Sequence, residues 1–144
     1  GGGRAQLALK HVRDVSRGAA VGHDLAEDGA EQEEQEELLH KAASADRPLH
    51  MTEVNYAEVK YILLKKDGAE AWEQAKDVLK SLPIDFHPAT RPLADSAADF
   101  KARFKLSLAD AFAAALAKEK KAELVAGDPE FKPLEKEIKI NWLK

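Results

Sequence analysis

The sequence has 144 residues, of which 44% are apolar and 33% are charged, and these values are typical of one globular domain of ordinary size. It contains no cysteine, which excludes disulfides and thiolate metal sites, so any bound metal must use oxygen or imidazole ligands. No apolar run approaches the ~18 residues that cross a bilayer, and we expect a cytoplasmic protein that does not associate with membranes.

The net charge of −4 is concentrated in the first third of the chain. Residues 1–50 contain 6 Lys and Arg against 10 Asp and Glu, whereas residues 51–144 contain 16 of each. Proteins that bind nucleic acid usually carry a basic excess. Here only local groups of Lys and Arg are available for phosphate, and most of these are typical of solvated helix faces.

Residues 1–22 form an atypical N-terminal segment, and residues 23–144 form the remainder of a single domain. Within the first segment, the apolar residues from Leu7 to Val12 indicate a short and altered first strand. The Glu- and Gln-rich stretch from His23 to Ser44 favours a helix, although Gly29 weakens its first half.

Helices and strands alternate after Pro48. The apolar run Leu49–Met51 leads to Thr52, which fits the N-cap position of a helix. Apolar spacing predicts helices over 52–66, 69–81, 91–104 and 107 to about 120, strands over 83–88, 124–126 and 138–142, and a short helix through Leu134. Strands separated by helices predict a layered α/β fold with a mainly parallel sheet.

Glu58 lies on the apolar side of the predicted helix 52–66. Val54 and Ile62, four residues before and after it, share its face, and Asn55 points the same way one turn earlier. Burying an ionised carboxylate alone costs several kcal/mol. We therefore expect a positive partner beside Glu58.

Two further acids stand in unusual places. Asp110 is the single polar residue in an otherwise apolar stretch from Leu108 to Ala117, although Ser107 and Asp110 also fit the spacing of a capping box. Asp128 follows the predicted strand 124–126 and also fits a helix N-cap. Ligand sites of open α/β sheets lie at the carboxyl ends of strands, so both roles are compatible.

If the three acids converge, their mutual repulsion requires a neutralising cation. Ligand sets made only of oxygen favour Mg²⁺ or Mn²⁺. Such ions activate water for attack on phosphate, and the pattern is therefore consistent with metal-dependent hydrolysis.

Three segments resemble the PIN-domain family, and most closely its VapC-type toxins. They run from Asn55 to Val59, from Leu106 to Ala117 and from Leu124 to Phe131, in the order and spacing of the family. The resemblance covers about residues 36–143. It implies a three-layer α/β/α sandwich with a mainly parallel sheet, Mg²⁺ or Mn²⁺ held by acids, and hydrolysis of RNA. It also implies a small antitoxin as partner and a homodimer.

By this resemblance Glu58, Asp110 and Asp128 are the catalytic, metal-binding carboxylates, and Asn55 supports Glu58. The family usually has Thr or Ser where this chain has Ala126. One hydroxyl near the metal is therefore absent.

The first strand of the family normally contributes a further Asp to the metal site. Asp14 is the candidate because it follows the possible first strand and is followed closely by Ser16. Its neighbours Arg13 and Arg17 favour a surface ion pair instead. Asp24, the next acid, is better explained as a helix cap.

Three functions remain open at this point. The first is a metal-dependent endoribonuclease, the toxin of a toxin–antitoxin pair. The second is a PIN-like binding or regulatory module with impaired catalysis, and the third is a helical scaffold whose three acids are only caps. The five histidines show no ligand spacing, and we expect them at ordinary surface or strand-edge positions.

Overall fold

A parallel sheet forms the centre of the molecule. The computed structural model describes residues 7–9 and 49–142. Its strands are β1 (Leu7–Leu9), β2 (Leu49–Thr52), β3 (Ile84–His87), β4 (Glu123–Ala126) and β5 (Ile140–Trp142). They are ordered β3-β2-β1-β4-β5, and every neighbouring pair is parallel. The predicted strand near Leu7 is therefore present, and it is the central strand.

The helices follow the predicted order. They are α1 (Glu53–Asp67), α2 (Ala69–Ser81), α3 (Arg91–Arg103), α4 (Leu108–Lys120) and a 3₁₀ helix (Pro129–Lys136). These boundaries and those of β3, β4 and β5 agree with the prediction to within two residues. The helix predicted between His23 and Ser44 lies outside the described residues.

Short polar side chains begin the helices. Thr52, Thr90 and Ser107 each accept a hydrogen bond from the backbone N–H three residues later, which satisfies a donor that has no partner within the helix. Gly68 ends α1 with a φ of 91°, a backbone conformation that glycine adopts without a steric penalty. The chain thus separates α1 from α2 with a single residue.

Two apolar clusters cover the two faces of the sheet. Val125 packs with residues of α1 and α2, whereas its neighbours Leu124 and Ala126 pack with residues of α3 and α4. Because successive side chains of a strand point to opposite faces, the two helix pairs lie on opposite sides of the sheet. The fold is the predicted three-layer α/β/α sandwich.

α4 is the most enclosed helix of the described chain. Every residue from Asp110 to Ala117 is buried, and the helix contacts α3, α1 and the strands β1, β2 and β4. Six alanines between Ala109 and Ala117 allow this close approach, since their side chains are small. Asp110, the acid in the first turn of α4, is therefore buried in the interior.

Within the described ranges, no helix has the length and apolarity that crossing a membrane requires.

Candidate metal centre

The first turn of α4 lies at the carboxyl edge of the sheet. Only Lys121 and Ala122 separate the end of α4 from the start of β4. α4 therefore runs antiparallel to the strands and begins at the carboxyl edge of the sheet. The loop after β4 starts at this same edge. The fold therefore brings the region of Asp110 towards that of Asp128.

Asp110 has a buried side chain and a capped backbone. The residue is only 4% exposed, and its N–H donates to Oγ of Ser107 over 3.1 Å. The predicted helix cap is confirmed, but this bond uses the backbone N–H and not the carboxylate. The cap alone does not explain why an acid, rather than an apolar residue, occupies this position.

Asp128 begins the 3₁₀ helix. Its Oδ1 accepts a hydrogen bond of 2.9 Å from the N–H of Glu130, and Pro129 occupies the first position of the helix. The predicted N-cap is confirmed here too. A carboxylate has lone pairs for several partners, so this cap leaves further acceptor capacity on Asp128.

Three carboxylates meet at this edge. One ligand oxygen from each of Asp110, Asp128 and Glu130 lies within 4.8 Å of the others, and we call these three residues the acid cluster. Asp110 is buried, Asp128 is half-buried and Glu130 is exposed. The cluster therefore opens from the interior to solvent.

Glu130 is the member that the sequence analysis missed. It is exposed and stands in the first turn of a helix, where an acid is ordinarily explained by the helix dipole. Its position two residues after Asp128 was the available signal. In this turn the N–H of Glu130 donates to the side chain of Asp128. The same turn brings the two side chains together.

Asn55 joins α1 to the first turn of α4. It is 1% exposed, and its Nδ2 donates to the carbonyl of Ala109 over 2.9 Å. The hydroxyl of Thr52 donates to Oδ1 of the same amide. Asn55 thus fixes the backbone next to Asp110, a contact that sequence analysis did not predict.

Of the two other acids predicted for the site, Glu58 and Asp14, the structure describes only Glu58. Glu58 is half-buried on α1, one turn after Asn55. Among the described residues it is not one of the acids that lie within 4.8 Å of each other. Asp14 lies outside the described residues.

The donor set of the acid cluster fits a hard divalent cation. Mg²⁺ and Mn²⁺ take carboxylate oxygens and water, and three carboxylates with one buried member offer such oxygens together with access for water. Like charges held this close oppose folding unless they are neutralised, and a cation bound at the cluster would supply that neutralisation.

The sequence and the fold are similar to those of known proteins. The PIN domain family matches residues 22–137. The chain resembles VapBC2 of Rickettsia felis, solved bound to a promoter DNA fragment, with a TM-score of 0.66 and 18% identity over 96% of this chain and 99% of that chain.

Two other solved structures are similar. A toxin–antitoxin complex from Klebsiella pneumoniae has a TM-score of 0.57 and 17% identity over 88% of this chain and 90% of that chain. VapC20 of Mycobacterium tuberculosis, a toxin that cleaves the sarcin–ricin loop, has a TM-score of 0.60 and 16% identity over 89% and 94%. Compared by sequence with curated proteins, the chain matches none. The family match spans well over half of the chain, and the chain therefore belongs to the PIN domain family, with the fold of VapC-type toxins.

Proposed function

We propose that this protein is a metal-dependent endoribonuclease, the toxin of a toxin–antitoxin pair, and that it hydrolyses phosphodiester bonds of RNA. The observation that carries this proposal is the acid cluster: a 4% exposed Asp110 whose carboxylate oxygen lies within 4.8 Å of those of Asp128 and Glu130. It stands at the carboxyl edge of a parallel sheet, where ligands of such folds bind.

The metal that suits this site is Mg²⁺ or Mn²⁺, held by Asp110, Asp128 and Glu130. A bound ion of this kind activates water and stabilises the negative charge of a phosphodiester under in-line attack. Asp110 is the innermost acid and Glu130 the outermost. Asn55 is a positioning residue, because its amide holds the carbonyl of Ala109 next to Asp110.

Glu58 and Asp14 complete the proposed site. Glu58 follows Asn55 by one turn on α1, and α1 contacts α4. β1 is the central strand, and it pairs with β4, the strand that leads to Asp128. Asp14 comes five residues after the end of β1 at Leu9, and it is the acid that we propose for the first strand.

The partners follow from the same family. The substrate is RNA, the site of action is the cytoplasm, and the regulator is a cognate antitoxin, as in the toxin–antitoxin structures that this fold resembles. We propose a homodimer, as is usual for the family.

A second candidate is a PIN-like module with impaired catalysis that binds or regulates. Two features favour it. The family's hydroxyl residue is replaced by Ala126, which is completely buried, and the residue after β1 is Lys10 rather than an acid.

Cleavage of RNA by the purified full chain tests the proposal. A mixture of purified tRNA and rRNA is incubated with Mn²⁺ or with EDTA, and the products are separated on denaturing gels. We expect cleavage with Mn²⁺, none with EDTA, and a loss of about 100-fold or more in Asp110→Asn, since even a lost outer-shell partner costs ~10–100-fold.

Asp95→Asn is the matched control, because Asp95 is an exposed acid on α3 and loses the same charge. It should cleave like the wild type. Cleavage that persists in EDTA or in Asp110→Asn contradicts the proposal. Binding of Mn²⁺ without any cleavage supports the impaired module instead.

A further inference from the structure

Two histidines meet on neighbouring strands, far from the acid cluster in sequence. Nδ1 of His50 on β2 lies 2.8 Å from Nε2 of His87 on β3, and the ring planes are tilted by 46°. His50 is only 4% exposed and His87 is half-buried. The prediction of ordinary surface or strand-edge positions is therefore wrong for His50. We call these two residues the histidine pair.

The register of the sheet creates this pair. His50 lies opposite Asp85, and Thr52 lies opposite His87. Because every second residue of a strand points to the same face, the histidines and Asp85 share the face that packs against α4. Glu119 and Lys120, in the last turn of α4, act electrostatically on His87 with opposite sign.

Both rings are neutral at neutral pH. Burial lowers the pKa of His50 below its ordinary value of 6.5, and the neighbouring His87 lowers it further, against the opposite effect of Asp85. Burial and then Lys120 lower the pKa of His87. Neutral imidazole is the form that binds metal ions.

We propose that His50 and His87 form a two-imidazole site for a divalent transition-metal ion of the Cu²⁺ or Ni²⁺ type, separate from the acid cluster. Two nitrogens that bind one ion at ~2.0–2.1 Å and at a right angle are about 2.9 Å apart, and the ring nitrogens are 2.8 Å apart. A right angle belongs to the square-planar and octahedral geometries of Cu²⁺ and Ni²⁺.

The proton balance of this site is simple. The hydrogen bond between the rings places one proton on either Nδ1 of His50 or Nε2 of His87. When both nitrogens coordinate, that proton moves to the other nitrogen of the same ring. Each ring stays neutral, and binding above the pKa of the histidines releases no net proton.

The site differs from the acid cluster in both its residues and its chemistry. Imidazole favours Cu²⁺ and Ni²⁺, whereas carboxylates favour Mg²⁺ and Mn²⁺. Among the described residues, no third ligand atom joins the ring nitrogens within the spacing of the acid cluster, so water completes the coordination. The proposal does not depend on ribonuclease activity.

Copper and nickel binding to the full chain tests this site, with Mg²⁺ in excess to occupy the acid cluster. We expect the electron paramagnetic resonance spectrum of one equivalent of Cu²⁺ to show two coordinated imidazole nitrogens. By calorimetry, His50→Gln and His87→Gln should each weaken Ni²⁺ binding by at least about 10–100-fold, because losing a ligand costs no less than losing an outer-shell partner.

The other three histidines provide the matched control. A variant with His11→Gln, His23→Gln and His40→Gln should keep the Cu²⁺ spectrum and the Ni²⁺ affinity. Unchanged Ni²⁺ binding in His50→Gln and His87→Gln, or its loss in the triple variant, overturns the proposal.

A measurement on the wild type covers the case in which His50→Gln does not fold. Diethylpyrocarbonate modifies accessible histidines, and the modified positions are identified by mass spectrometry. Ni²⁺ should protect His87 against modification and leave His11, His23 and His40 unprotected. Equal modification of His87 with and without Ni²⁺ contradicts the site.

Discussion

The acid cluster and the histidine pair share no residue and use different chemistry. The acid cluster is made from a helix start and a loop, where charged oxygens reach solvent through Glu130. The histidine pair is made from the strands themselves and is neutral, with one ring almost completely buried. The difference shows how one fold presents hard oxygen ligands from a helix start and a loop, and softer nitrogen ligands from its strands.

The largest predicted effect is the stabilisation of the folded protein by Mn²⁺ bound at the acid cluster. Mn²⁺ that binds the folded state alone should raise the free energy of unfolding by about 2.7 kcal/mol at 100 times the dissociation constant. Thermal melts with EDTA and with excess Mn²⁺ measure this. Asp110→Asn should lose the shift and should be at least as stable as the wild type in EDTA, since it removes a buried carboxylate from the cluster.

Glu130→Gln sharpens this prediction. Glu130 is the exposed member of the cluster, so its removal should reduce the Mn²⁺ shift less than Asp110→Asn does. An unchanged melting temperature of the wild type with Mn²⁺, or an equal shift in Asp110→Asn, contradicts an ion at the acid cluster.

Most of the fold was predictable because its signals are local. Thr52 and Ser107 are strong helix N-caps, and the apolar run of α4 contains no residue that ends a helix. The central strand was harder to predict. β1 has only the three residues Leu7–Leu9, and three apolar residues carry too little periodicity to define a strand.

The candidate site was predictable only in part. Asp110 attracts attention because an acid in a buried helix is costly, and Asp128 because it follows a strand. Glu130 was missed because an exposed first-turn acid is ordinary. The histidine pair was missed because His50 and His87 are 37 residues apart, and their contact depends on the register between β2 and β3, which no single segment encodes.

A smaller effect is expected for Asn55, whose hydrogen bonds hold the first turn of α4 next to the acid cluster. Asn55→Ala removes the donor to the carbonyl of Ala109 and the acceptor of the Thr52 hydroxyl. Leaving such buried groups without a partner costs about 1–3 kcal/mol. Urea denaturation measures this loss, and cleavage of RNA should also fall because the first turn of α4 is less well held.

Asn141→Ala is the matched control for Asn55→Ala. Asn141 is half-buried on β5, and its Nδ2 donates to Glu123 over 3.2 Å. Because solvent reaches this bond, its loss should cost less than about 1 kcal/mol. If Asn55→Ala is no more destabilising than Asn141→Ala, then Asn55 does not hold α1 and α4 together as its contacts indicate.

The smallest predicted effect is a pH dependence of stability that comes from the histidine pair in the metal-free protein. The pKa values of His50 and His87 are lowered in the folded state, mainly by burial, from the ordinary value of 6.5. Below pH 6.5 the unfolded chain therefore binds protons that the folded chain does not, and the free energy of unfolding falls as the solution is acidified. Near pH 8 neither state binds these protons, and this contribution to the pH dependence vanishes.

Urea denaturation between pH 8 and pH 5 in the presence of a chelator measures this slope, in a range above the ordinary pKa of carboxyl groups. His87→Gln keeps a polar side chain on β3 but removes one titrating ring and its repulsion of a protonated His50. Its stability should therefore depend less on pH than that of the wild type. Because the remaining histidines are present in both proteins, the difference between the two slopes isolates the pair. Identical slopes, or a wild type that becomes more stable from pH 6.5 to pH 5, would show that the two rings do not share a buried site.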